Sequence, residues 1–411
     1  MSSRIDHDFG GLPDWAQRPL VMQIFAQAHA LGGEARIVGG AVRDWLSNYP
    51  VGDIDMAINL PIETVASHMV ACDMRVVETG LKHGTITLYD NDDQIELTQT
   101  RVDLETDGRH AIVAHDQDWA RDAARRDFTI NALYLDSSGG IFDPLDGKAD
   151  LHASRLRFAG DAGLRVQEDA LRMFRYCRFF PRFATTGIDS QAQTALREHS
   201  SLCAGLSGER IANEMRRIMV GGGLKEAIGL MQDSKIDQAA LGLSLDPSRV
   251  ANDDEIGSVI AGLGANDDFA WLANLAVAMP SGSAALLAKR LRLSRAEERC
   301  LTRLDLGLGH DDMTTLSGAR WRQAVYYLGD MAPLLFAVQS WRNGHALDAA
   351  RLAEFVSWMP PQNPICGADL LSHGVDNGPG VGQMLRDVER QWVTSNFTLG
   401  KAALLEWLFG N

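Results

Sequence analysis

Residues 38–58 read VGGAVRDWLSNYPVGDIDMAI, and the reading of this stretch decides the reading of the chain. A short apolar run, Ala35 to Val38, meets Gly39-Gly40, and AVRDWL behind it has helical composition, so the order is strand, glycine turn, helix. Gly39 and Gly40 permit backbone torsions and close approaches that a side chain would forbid. The N-terminus of the following helix aims amide donors at whatever sits before it, which suits phosphate. Arg43, in the first turn of that helix, can fork onto triphosphate oxygens; the competing reading pairs it with Asp44 or Asp53. Asp53 opens a second strand running to Ile58. Side chains two apart on a strand share a face about 7 Å apart. Asp53 and Asp55 so placed can grip divalent cations that activate an attacking hydroxyl and stabilise a leaving pyrophosphate, and hard oxygen ligands suit Mg²⁺. Asp-x-Asp alone usually marks a solvated turn, but the glycines and Arg43 just before it favour an enzyme that handles nucleotides.

Working outward, a chain of 411 residues exceeds what one hydrophobic core organises, so several structural units are expected. No stretch approaches the roughly 20 apolar residues of a membrane span, and the start, MSSRIDHDFGG, has no basic-plus-apolar signal pattern. A cytoplasmic protein without a membrane partner is expected. Cys72, Cys177, Cys203, Cys300 and Cys366 are scattered and form no CxxC pair, which indicates neither a disulfide framework nor a zinc site. The formal charge of -15 argues against a protein that coats nucleic acid nonspecifically. Positive charge is nevertheless concentrated in one segment: Arg155, Arg157, Arg165, Arg172, Arg175, Arg178 and Arg182 stand against Asp161, Glu168 and Asp169.

Along the chain, RPLVMQIFAQAHAL (18–31) and PIETVASHMVA read as helices, and GTITLYD and QIELTQTR as strands around the turn at Asn91-Asp92-Asp93. Residues 102–118 are polar, contain a glycine and lack a sustained period, so a mobile loop is expected. The many acids from Asp90 to Asp118 read as a solvated surface. WARDAARRDFTINALYLD passes from helix to strand. From Gln167 onward the pattern is helical: EDALRMFRYCRFF, GERIANEMRRIMV, LKEAIGLMQ, FAWLANLAVAM, AALLAKRLRL, RWRQAVYYLGD, LDAARLAEFVSWM and KAALLEWLF all carry helical spacing. The expected architecture is an α/β N-terminal head with a small mixed or antiparallel sheet, followed by an all-α neck, body and tail. The divisions fall at residues 1–150, 151–220 and 221–411.

On a single helix, Asp169 and Arg172 lie three apart on one face, with Arg175 and Arg178 continuing along it. A carboxylate beside a guanidinium offers an acceptor next to donors. It can therefore pair with the exocyclic amine and adjacent acceptor of cytosine or adenine, while uracil and guanine present a carbonyl there. Each polar group left unpaired at a desolvated site costs about 1–3 kcal/mol. The competing reading is an ion pair on a solvated helix, worth about 0.2–0.5 kcal/mol. For Arg125, Arg126 and Asp127 the residues alone suggest a salt-bridge cluster on a helix surface. Glu96, on a neighbouring strand, either faces the metals as a third carboxylate or decorates a sheet edge. His115-Asp116 and His310-Asp311 lack the separated ligands of an HD phosphohydrolase and read as loop histidines. Lys289, Arg290, Arg292, Arg295, Arg320 and Arg322 either track RNA phosphates or line an exposed helix face.

VGGAVRD, GDIDMA, RRDFTINAL and EDALRMFR, in that order, resemble the class II tRNA nucleotidyltransferase (CCA-adding enzyme) and bacterial poly(A) polymerase family, within the polymerase-beta-like nucleotidyltransferases. The likeness covers roughly the first 220 residues, and GADLLSHGVDNGPGVGQML is similar to the tail region of the same family. The resemblance implies an enzyme that adds C, C and A from CTP and ATP to the 3′ end of tRNA with Mg²⁺ and releases pyrophosphate. The alternatives are poly(A) polymerase activity and CC-only addition. It implies triphosphate contacts at Gly40 and Arg43, metal binding and catalysis at Asp53 and Asp55, and nucleotide-sugar contacts at Arg126 and Asp127. It further implies a base template at Asp169 and Arg172, with more nucleotide contacts at Arg175 and Arg178. The segment around Asp107-Gly108-Arg109 resembles the flexible element used in switching from C to A addition.

Overall fold

Apolar residues alternate through ITL and QIEL, so one face of this strand pair must be buried. In the computed structural model, which describes residues 11–81, 84–91, 93–106, 111–250, 270–306, 312–329 and 331–410, these strands join a seven-stranded sheet. Its strands are β1 (Ala35–Val38), β2 (Asp55–Ile58), β3 (Arg75–Gly80), β4 (Thr85–Asp90), β5 (Asp93–Gln99), β8 (Tyr134–Leu135) and β9 (Ile141–Phe142). β6 (Arg101–Thr106) and β7 (Ala111–His115) form a separate two-stranded sheet. The seven strands lie in the order β3-β4-β5-β2-β1-β8-β9, antiparallel except for the parallel pair β2 and β5, so the sheet is mixed as expected.

One face carries Ile37, Met56, Ile58, Ile86, Leu88, Ile95 and Leu97, packed with residues of α1 (Pro19–Ala30), α2 (Gly40–Leu46) and α3 (Ile62–Ala71). Each such side chain contributes about 1.5–3 kcal/mol on burial. On the other face, Trp119 and Ala123 of α4 (Trp119–Ala124) pack on Val38, Ala57 and Tyr134, covering the β8-β1-β2 end. The β5-β4-β3 end of that face carries Glu96 and Gln94, both exposed.

Two local expectations are corrected. Residues 102–118 are not a loop throughout: β6 pairs antiparallel with β7 from Arg101↔His115 to Thr106↔Ala111, because ladder hydrogen bonds pair the polar run RVDLET with the short apolar run AIVAH. Asp107, Gly108 and Arg109 lie outside the described residues, as do His310 and Asp311. EDALRMFRYCRFF is not one helix: α6 (Ala162–Glu168) ends before Asp169, which is extended at φ -151° and ψ 103°, and α7 (Leu171–Phe183) starts afresh. The Asp169 Oδ1 accepts from the backbone N–H of Leu171 at 3.1 Å, so the acid works as a cap where helical continuation was expected.

The chain divides into two compact units, Met1–Glu214 with Glu226–Gly242, and Met215–Lys225 with Leu243–Asn411. The first contains the sheet and α5 (Gly147–His152), α6 and α7, together with the helices at Ser190–His199 and Ile236–Leu241. In the second, the described residues of regular structure are helical, as the spacing predicts. Trp321, Leu335, Phe336 and Phe355 form one core there, and Leu370, Val388, Trp392 and Leu404 another. Among the described residues no helix is long and apolar enough to cross a membrane.

Candidate active site

The ladder places Asp55 between Val38 of β1 and Glu96 of β5, and Glu96 opposite Thr87 of β4. β2 begins at Asp55, so Asp53 stands just ahead of the ladder and not within it. Asp53, Asp55 and Glu96 are all exposed. The Asp55 carboxyl is nevertheless pushed up to about 6, first by the packing around it and then by Glu96 and Asp53, against the pull of Arg126. Glu96 thus stands in register beside Asp55, and Asp53 is near enough to act on its charge.

At the glycine turn Gly39 adopts φ +74° and ψ -119°, a region that L side chains rarely enter, and it immediately precedes α2. Behind the turn Arg43 is buried and fully engaged. Its Nε and Nη2 each lie 2.8 Å from Asp44 Oδ1, and its Nη1 donates to Asn131 Oδ1 at 2.6 Å. The guanidinium sits 4.8 Å from the ring centre of Phe179 and 4.9 Å from that of Phe183, and burial holds its pKa below the usual arginine value. The structure therefore places Arg43 against Asp44, the competing arrangement read from the sequence, with Nη2 3.7 Å from where a Cβ on Gly40 would stand.

Arg126 and Asp127 are held from opposite sides. Asp122, fully buried, accepts from Arg126 Nη2 at 3.0 Å, from Arg125 Nε at 2.8 Å and from the Tyr134 hydroxyl at 2.7 Å. Tyr134 in turn accepts from Arg126 Nε at 3.0 Å. Burial opposes the charge on Asp122, yet Arg126, Arg125 and Tyr134 draw its pKa below the ordinary value. Asp127 accepts from its neighbour Phe128 N–H, from Asn131 Nδ2 at 2.9 Å and from Arg175 Nε at 2.6 Å. Burial again opposes ionisation and Arg175 overcomes it, so this carboxyl also lies low. Asp122, Asn131 and Tyr134 were not singled out from the sequence. The signal for Asp122 was its place three and four residues before Arg125 and Arg126, the spacing that puts helical side chains in contact.

Asp169 and Arg172 are not a pair. Asp169 accepts from Arg210 Nη2 at 2.8 Å, whereas Arg172 donates to Glu168 at 2.6 Å, to the Arg165 carbonyl at 3.0 Å and to the Arg125 carbonyl at 3.1 Å. The helix break at Asp169 separates two residues that a continuous helix would have put on one face. Arg175 meets Asp127, and Arg178 donates from Nε to Glu214 at 2.9 Å. Phe128 packs on Phe158, Tyr176 and Phe179 at ring separations of 5.2, 5.8 and 5.6 Å, which fixes α7 against the Arg126-Asp127 segment.

Among the described residues no set of three or more His, Cys, Asp or Glu side chains is gathered as a metal site. Two exposed carboxylates that repel each other, with a third beside them, nonetheless suit a hard divalent ion that also takes phosphate and water oxygens.

The Poly A polymerase head domain family matches residues 35–157, and the family described as "Probable RNA and SrmB- binding site of polymerase A" matches residues 187–240. The chain is 32% identical over 383 residues to the mitochondrial CCA tRNA nucleotidyltransferase 1 of Danio rerio, covering 91% of this chain and 87% of that protein. It is 26% identical over 401 residues to the CCA-adding enzyme of Lactobacillus johnsonii, covering 94% and 96%. In fold it is similar to the Bacillus stearothermophilus CCA-adding enzyme solved in complex with CTP, with a TM-score of 0.73, 22% identity and 97% of each chain covered.

Proposed function

Since this chain belongs to the CCA tRNA nucleotidyltransferase family, we propose that it completes the 3′ end of tRNA with C, C and A, taking them from CTP and ATP. The terminal ribose hydroxyl of the tRNA attacks the α-phosphorus; the new O–P bond forms as the bond to pyrophosphate breaks, and the hydroxyl proton leaves to solvent. The observation that carries the reading is the exposed Asp55, raised to about 6, set in register between Glu96 and the strand that runs into the Gly39-Gly40 turn.

Enzymes of this family use a divalent metal, here assigned to Mg²⁺ at Asp53 and Asp55, which supplies charge neutralisation at the phosphates and a more acidic attacking hydroxyl when bound. Gly39 and Gly40 let the triphosphate approach the backbone, and Arg43 braces the turn from behind through Asn131. Arg126 and Asp127 face the nucleotide sugar, held by Asp122, Tyr134 and Arg175. Asp169 and Arg172 present the Watson-Crick template from either side of the helix break, with Arg175 and Arg178 completing the surface.

The test is a gel of products from tRNA ending before CCA, incubated with CTP, ATP or both. Extension by three nucleotides with both substrates is the expected outcome. Absence of any C addition refutes the reading, a stop after two C with both substrates converts it to CC-only addition, and long tails from ATP alone convert it to a poly(A) polymerase.

A further inference from the structure

Resting on that reading, in-line displacement sets where the RNA must come from. Attacking and leaving oxygens stand on opposite sides of the phosphorus. The Gly39-Gly40 turn and Arg126 lie on the β1 side of Asp55, Arg126 Nη1 being 3.8 Å from where a Cβ on Gly39 would stand. Pyrophosphate therefore leaves on that side, and the hydroxyl arrives from the side of Glu96 and β5.

Beyond Glu96 the ladder aligns Gln94 of β5, Tyr89 of β4 and Arg75 of β3 in one cross-strand row. Alternation puts these residues on the same face as Glu96, and sends Asp90 and Asp93 to the opposite face, where Asp93 pairs with Arg18. Gln94 and Arg75 are exposed and Tyr89 is half-buried, with the Arg75 guanidinium 5.2 Å from the Tyr89 ring centre. Among the described residues Arg75 has no carboxylate partner. A flat ring, a free guanidinium and an amide in a row beside the reacting carboxylates match the bases and phosphates of a single strand. The row is continuous with the catalytic face, since adjacent strands are about 4.8 Å apart.

We propose that the Gln94-Tyr89-Arg75 row seats the 3′-terminal nucleotides of the tRNA that carry the attacking hydroxyl, with Arg75 on a backbone phosphate and Tyr89 stacked on a base.

The test compares Arg75→Ala, Arg75→Glu and Tyr89→Ala with the unaltered full-length chain, measuring KM for tRNA ending before CCA and KM for CTP at several salt concentrations. Arg75 is exposed and Tyr89 half-buried, and thermal midpoints check that the variants stay folded. The expected result is a tRNA KM raised about tenfold for each alanine variant and further for Arg75→Glu, with the CTP KM within about twofold. The salt dependence of tRNA binding for Arg75→Ala should be shallower by about one phosphate contact. Unchanged tRNA KM values, or an equal rise in the CTP KM, overturn the proposal. If the unaltered chain adds no C, the functional reading falls and this proposal with it; an active parent with unaffected variants removes this proposal alone.

Discussion

Asp55 and Asp127 carry the same carboxyl group in the same compact unit, and their protons behave in opposite ways. Asp127 is ringed by donors from Arg175, Asn131 and a backbone amide, and these hold it ionised although burial resists. Asp55 has Glu96 and Asp53 for neighbours and rises to about 6. The difference separates a part of the site that is complete in the folded chain from a part that is electrostatically unfinished until a cation arrives. The Arg126-Asp127 segment is preorganised, so it can orient a nucleotide without rearrangement. The carboxylates carry a cost in repulsion, which the divalent ion we propose there would relieve.

The largest expected effect breaks the unfinished side. Asp55→Asn keeps the shape and removes the charge, so C addition to tRNA should fall at least about a thousandfold, equivalent to roughly 4 kcal/mol of barrier, while tRNA binding persists. A variant retaining a tenth of the parent rate would show that Asp55 is dispensable and that the contrast with Asp127 has no catalytic meaning. On the finished side the expected loss is first in stability. Asp122→Ala strips the partner from Arg125 and Arg126 at a fully buried position, and should cost about 3 kcal/mol in chemical denaturation. A cost below about 1 kcal/mol would mean that the arginines find water, and that Asp122 does not position them.

What could be read in advance follows the same divide. On the sheet the period of two is rigid, so QIEL disclosed which of its side chains share a face, whereas Asp53 proved to lie ahead of the ladder and the placing of Glu96 beside Asp55 is set by the register of β2 on the distant β5. Around α7 the outcome depended on contacts between distant segments. Nothing near Asp127 in sequence announces Arg175, and nothing near Asp169 announces Arg210. Asp169 also shows why a helical pattern misleads: the acid that looked like one member of an i, i+3 pair ends one helix and caps the next. The β6-β7 hairpin escaped for a related reason, since its pairing is made by backbone groups that composition does not display.

That helix break sharpens a third expectation, of intermediate size. If Asp169 is an acceptor for the base amine, Arg210 is what holds its carboxylate in place, and the two substitutions should share one phenotype. Asp169→Ala should raise UMP incorporation relative to CMP by about tenfold, in line with the 1–3 kcal/mol that an unpaired group costs, and Arg210→Ala by less. Competition assays with mixed CTP and UTP measure both. Unaltered base choice in Asp169→Ala would leave that residue with only its capping role.

The smallest effect tests the comparison through protons alone. A carboxyl raised to about 6 in the folded chain, against roughly 3.9 unfolded, is protonated more in the folded state between those values. Its contribution to stability is therefore most favourable below about pH 4 and is lost as pH rises through 6. Asp127, drawn below the ordinary value, has the opposite sign: its contribution is present above about pH 4 and is lost as the solution becomes more acid. Because Asp55 keeps solvent contact, screening trims its share to about 0.5–1 kcal/mol. Metal-free protein should thus gain stability from Asp55→Asn at pH 7.5 and gain about half as much at pH 5, measured by urea denaturation of both chains at each pH. Mg²⁺ should stabilise the parent at pH 7.5, much less at pH 5 where protons compete for the carboxylate, and the Asp55→Asn chain little at either. Equal stabilisation of parent and variant would locate the ion elsewhere, and the opposed behaviour of the two aspartates would then be a matter of neighbours only, with no bearing on how the nucleotide phosphates are held.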